Sequence, residues 1–117
     1  MGMTYADVKI RGPKSSKDAR VLVDTGSTFT WIPAHVLQKA GVEPTSTRRF
    51  RTIEGREINR PVGEALLEFS GERATTIVVF AEKEDASVLG VYALEGLGFE
   101  VDPVTKRLKK VEAFIAY

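Results

Sequence analysis

The stretch VLVDTGSTFTWIP, residues 21–33, decides the reading of this chain. An apolar run ends in Asp24, Thr25 and Gly26 follow as turn residues, and a second β-rich run leads to Pro33. The order has a physical logic. A strand delivers the aspartate to its end, the glycine lets the backbone turn tightly and approach another chain, and neighbouring amides and hydroxyls can hydrogen-bond the carboxylate. A carboxylate held there without a use is costly. The plainer alternative is that Asp24 opens an Asx-type turn in which Thr25 and Gly26 serve only the turn.

Outward from the motif, short β-branched and aromatic runs alternate with Gly, Pro and Ser punctuation, the pattern of an all-β domain. Residues 5–10 alternate as a strand, 11–18 (RGPKSSKD) have loop composition, and 19–23 resume as a buried strand running into Asp24. After it, 29–32 is strand-like and Pro33 suits the first turn of a short helix, AHVLQKA, ended by Gly41. Residues 48–53 and 56–62 flank Glu54-Gly55 as a charged hairpin that should project into solvent. Residues 65–69 and 75–81 form a strand pair around Ser70-Gly71, with TIVVF apolar enough for the centre of the domain, and 82–87 make a surface loop. Val88-Leu89-Gly90 leads into a second short helix, VYALEGLG, and 99–101 with 107–111 close as a hairpin around Asp102-Pro103.

With 117 residues, 43% of them hydrophobic, and no internal repeat or linker, the chain is sized for one domain over 1–117. Seventeen basic residues against sixteen acidic ones select neither nucleic acid nor an anionic membrane as partner. The absence of cysteine excludes disulfides, thiolate metal sites and cysteine nucleophiles, and fits a reducing compartment, so a cytoplasmic location is expected. No apolar run approaches the roughly 20 residues that span a bilayer. His35 is the single histidine, which excludes a multi-histidine metal site and leaves a Ser-His-Asp triad without a motif around it; no metal and no cofactor is expected. Two basic groups, Arg48, Arg49, Arg51, Arg56 and Arg60, and Lys106, Arg107, Lys109 and Lys110, have the charge to meet phosphate or acidic peptide, but without a recognisable nucleic-acid module they are expected as solvated hairpin faces.

The triplet Asp-Thr-Gly alone would arise by chance in about 2% of chains this long. DTGSTFTWIP carries more, and resembles the Asp-Thr-Gly-Ser-x-x-x-Trp-apolar-Pro pattern of the pepsin-type aspartic proteases. Those enzymes hold two such motifs in one long chain; one motif in 117 residues resembles the retropepsin type instead. That resemblance implies a closed, barrel-like acid-protease fold with a flap hairpin and one or two short helices. It implies a homodimer in which Asp24 of each subunit meets across a two-fold axis. The two carboxylates would share a proton, one polarising the peptide carbonyl while the other activates a water.

By the same resemblance Thr25 would hydrogen-bond across the dimer axis, Gly26 would offer backbone contacts to substrate, and the Ser27 hydroxyl would support the outer carboxylate oxygen. The hairpin 48–62 falls where the flap belongs, with Ile53, Glu54 and Gly55 at its tip, although a solvated surface hairpin explains it equally. Val88-Leu89-Gly90 and the helix after it fit the family's second, pseudo-symmetric segment. Viral members continue there with Arg and then Asp or Asn, whereas this chain has Val91 and Tyr92, so the dimer must be braced differently. The C-terminal segment 99–117, including Phe114 and Tyr117, either builds that interface or covers one edge of the domain. Trp31 is expected in the core. The function implied is an aspartic endopeptidase acting on peptide or protein substrates, favoured at acidic to mildly acidic pH. The rival is a non-catalytic peptide-binding or dimerisation module on the same fold.

Overall fold

The computed structural model describes residues 3–111. Strand β1 (Tyr5–Arg11) alternates strictly, burying Ala6, Val8 and Ile10. It pairs antiparallel with β2 (Ser16–Val23), from Tyr5 opposite Leu22 to Arg11 opposite Ser16. The connection is therefore shorter than the loop composition of 11–18 suggests. Ser16 and Asp18 face solvent from within the strand, where polar residues cost nothing.

Strand β3 (Thr30–Pro33) runs into helix α1 (Ala34–Ala40). Pro33 occupies the N-cap, one position before the first turn, and Gly41 closes the helix in the left-handed conformation. Strand β4 (Ser46–Arg51) pairs with β5 (Glu57–Phe69), which is one 13-residue strand where the sequence suggests two. Gly63 does not break it: a Cβ there would sit 2.7 Å from the Glu43 carbonyl oxygen, so the glycine marks a close approach. Strand β6 (Glu72–Ala81) returns along β5 after a two-residue turn. Ser70 and Gly71 both have positive φ, 52° and 83°, the pattern of a type I′ turn that matches the twist of the strands.

Strand β7 (Val88–Leu89), helix α2 (Val91–Leu97) and the hairpin of β8 (Phe99–Val101) and β9 (Leu108–Lys110) follow. Neighbouring strands run β1-β2-β7-β3-β6-β5, and β5 pairs back to β1, so six strands close a barrel and β4 extends from β5 as an edge. Ile10, Val21, Ile32, Leu67, Val78 and Leu89 are almost wholly buried inside it. Leu37 of α1 and Ala93, Leu94 and Leu97 of α2 plug into the same core. Closure removes the free edges of an open sheet and fixes the ends of β2 and β7 side by side. Among the described residues no helix is long and apolar enough to cross a membrane.

Candidate active site

Asp24 stands at the end of β2, where the barrel fixes its backbone. Leu22 and Val23 pair parallel with Val88 and Leu89, and the Asp24 N–H donates to the Leu89 carbonyl at 3.0 Å. Thr25 and Gly26 turn the chain at the surface. The Gly26 N–H donates to Asp24 Oδ1 at 2.9 Å and the Ser27 N–H to the Asp24 carbonyl at 3.1 Å. This is Asx-turn geometry, and it orients the half-buried carboxylate. No donor reaches Asp24 Oδ2 among the described residues.

The segment Val88-Leu89-Gly90 is built into the same loop. The Ser27 carbonyl accepts from Val91 N–H at 2.8 Å, and the Thr28 carbonyl from Tyr92 N–H at 3.3 Å. Thr30, 1% exposed, accepts the Gly90 N–H on its hydroxyl oxygen at 3.0 Å. A Cβ on Gly90 would lie 2.4 Å from the Phe29 carbonyl oxygen, so only glycine permits this contact. Two stretches some 60 residues apart are thereby locked into one rigid loop pair behind Asp24.

The Ser27 hydroxyl donates to the Phe29 carbonyl at 2.7 Å, not to the Asp24 carboxylate, because the turn points it inward. Thr25 is exposed, and its hydroxyl has no hydrogen-bond partner among the described residues. Beside the motif opens a cleft of about 440 Å³ between Gly26, Ser27, Thr28, Phe29 and Trp31 on one side and Phe50, Arg51, Thr52 and Ile58 on the other. A larger cavity, about 620 Å³ between Pro33, His35 and Glu82, holds no residue of the Asp24–Ser27 turn.

The β4–β5 hairpin overhangs this cleft. Its turn runs from Thr52 to Arg56, closed by Thr52 N–H to the Arg56 carbonyl at 2.8 Å, so Thr52 and Ile53 belong to the turn rather than to the strand. Ile53, Glu54 and Gly55 form the exposed tip and do not line the cleft, which is walled instead by Phe50, Arg51, Thr52 and Ile58. Trp31 is not in the core. It is half-buried on the outer face of β3, its ring 4.9 Å from that of Phe50, and is part of the cleft wall. Phe50 and Ile58, directly opposite in register, are the site residues the sequence reading missed; their spacing about the turn was the available signal.

Arg60 also departs from expectation. It is 7% exposed and forms a two-pronged pair with Asp85, at 2.6 and 3.0 Å, while Asp85 also accepts the Glu82 N–H. The guanidinium hydrogen bond holds the Asp85 carboxyl below the usual aspartate range. This pair ties the base of the hairpin to the loop ahead of β7. His35 is exposed, as expected of a lone surface histidine.

A closed barrel that presents Asp-Thr-Gly at the end of one strand, braced by Leu-Gly at the end of its parallel neighbour, is the retropepsin-like fold. The chain belongs to the aspartyl protease family, whose model matches residues 6–93. Among solved structures it is similar to the solution structure of the simian foamy virus (mac) protease, with 21% identity and a TM-score of 0.57 over 78% of this chain and 91% of that one. At that identity the likeness concerns the fold. No curated protein matches the sequence.

Proposed function

We propose that the protein is an aspartic endopeptidase active as a homodimer, in which the two Asp24 carboxylates activate a water against a peptide bond. The observation that carries this reading is a single Asp24, held by Gly26 and Leu89 at the mouth of an open cleft under a hairpin. One chain supplies one carboxylate, and general acid–base hydrolysis needs a second group to polarise the carbonyl. A two-fold axis beside Asp24 supplies it from an identical copy. Two carboxylates so placed share one proton and exchange roles through the reaction. Thr25, exposed beside Asp24, would then reach across the axis, and Gly26 would offer its backbone to the substrate. In this reading Ser27 supports the loop through the Phe29 carbonyl, and the open Asp24 Oδ2 faces the partner carboxylate and the water. The β8–β9 hairpin is the candidate dimer element; Phe114 and Tyr117 lie outside the described residues.

A mixing experiment tests the shared dyad. Asp24→Asn chains added to a fixed amount of wild type, with time for subunit exchange, should lower peptide hydrolysis in proportion to the wild-type fraction, to about half at equal amounts. Hydrolysis unchanged by an excess of exchanged Asp24→Asn chains would contradict a dyad made from two subunits.

A further inference from the structure

The cleft has a chemical character of its own, set by side chains outside the Asp-Thr-Gly loop. Its apolar wall is aromatic: Trp31 lies 4.9 Å from Phe50, and Phe29 meets Phe50 edge-on at 6.2 Å. Alternation along β4 puts Arg48 on the same face as Phe50, and the Arg48 guanidinium lies over the Phe29 ring at 5.0 Å. Arg48 is paired in register with Arg60, an arrangement of like charges that opposes itself. Only one of the two is compensated: Arg60 turns to Asp85, whereas Arg48 is exposed and has no carboxylate partner among the described residues. Arg49 and Arg51 differ again, since both approach Glu57, at 3.9 and 3.3 Å. Five arginines against two glutamates between residues 46 and 62 leave the hairpin cationic above an aromatic floor.

We propose that the cleft selects peptides carrying a bulky apolar side chain with an acidic residue one or two positions away. Phe29, Trp31 and Phe50 take the apolar group and Arg48 takes the carboxylate. The assignment deepens the endopeptidase reading and rests on it for the peptide nature of the ligand. Arg48, already stacked and oriented by Phe29, gains a partner on binding without first breaking an ion pair. Arg51, shared between Glu57 and the Gly55 carbonyl, does not have that freedom. Because the pair forms at a partly exposed rim, replacing an attractive charge in the peptide by a repulsive one should change affinity by roughly tenfold, and salt should reduce the difference.

The test uses full-length Asp24→Asn protein, chosen so that the endopeptidase reading allows binding but no turnover, and the fluorescence of Trp31, the single tryptophan of the chain. Three peptides share a central phenylalanine and differ only in a neighbouring Glu, Gln or Lys. The inference predicts that the Glu peptide binds about tenfold tighter than the Lys peptide. It further predicts that Arg48→Glu reverses the order, while Arg49→Glu, the same charge change on the outer face, leaves it standing. Equal affinities, no binding of any of the three, or an order untouched by Arg48→Glu would overturn it. Hydrolysis by the wild type separates this from the parent reading. Cuts with no enrichment of nearby acidic residues sink the selectivity and spare the peptidase, whereas selective binding with no cuts by the wild type does the reverse.

Discussion

Thr30 is almost wholly buried, and its hydroxyl oxygen is the acceptor for the Gly90 N–H at the junction of the two loops behind Asp24. Replacing Thr30 by valine keeps the shape and strands that N–H without an acceptor, which should cost about 1–3 kcal/mol in chemical denaturation. Thr30→Ser should recover most of it. A valine variant as stable as wild type would mean that the loop junction does not depend on this bond. Asp24 itself is oriented by the Gly26 amide, whose own Cβ, if it had one, would lie 3.2 Å from Asp24 Oδ1. The Arg60–Asp85 pair is the other consequential contact, with side chains 9% and 11% exposed. Asp85→Asn would leave Arg60 with only its longer carboxylate contacts to the exposed Glu82 and Glu84, at 3.5 and 4.0 Å, and about 1–3 kcal/mol of stability should be lost at neutral pH. None of this long-range pairing was legible in the sequence: Arg60 sits in a run of arginines that otherwise face solvent, and its partner is 25 residues away in a loop of solvated charges.

At the level of elements, the hairpin of β4 and β5 joins site and solvent. Ile53 is fully exposed at its tip and touches no part of the cleft wall, so it contributes almost nothing to the fold of one chain. Ile53→Ser should leave stability within about 0.5 kcal/mol of wild type. If the hairpin closes over bound peptide, the same change should raise KM several-fold while the melting temperature stays put, since closure uses the tip only in the complex. Unchanged kinetics would make the tip a solvated turn and nothing more. The sequence predicts this hairpin, the strand into Asp24, the closing hairpin and both helices, because each carries local chemistry: alternation, turn residues, and Gly41 and Gly98 past the helix ends. It fails where a residue serves a distant neighbour. Gly63 looks like a break between two strands and is instead the point where the Glu43 carbonyl passes close to β5. Residues 16–18 have loop composition and form strand because β1 pairs with their backbone regardless. Trp31 has the composition of a core residue, yet alternation in β3 points Thr30 and Ile32 inward and turns Trp31 to the cleft.

At the scale of the whole molecule, the carboxylates that depart from their usual range among the described residues all shift downward. Asp85 is lowered by its hydrogen bond to Arg60, Glu68 by its hydrogen bond to Arg11, and Asp102 by the amides of Val104 and Thr105. A carboxyl whose folded value is depressed stabilises the fold fully above its unfolded value, near 4, and that stability is lost as pH falls through the folded value. The melting temperature should therefore hold between about pH 7 and 5 and drop below about pH 4, with a shallower acid drop in Asp85→Asn. A melting temperature that rises on acidification, or an acid drop identical in Asp85→Asn, would contradict this linkage. The central claim is that Asp24 carries peptide hydrolysis, and it is tested most directly by incubating a diverse peptide mixture with wild-type and Asp24→Asn protein. Both are held at a concentration that favours dimer, from acidic to neutral pH, and products are read by mass spectrometry. The account predicts cuts by the wild type alone; the same cuts from both proteins, or none from a wild type shown to be dimeric, would contradict it.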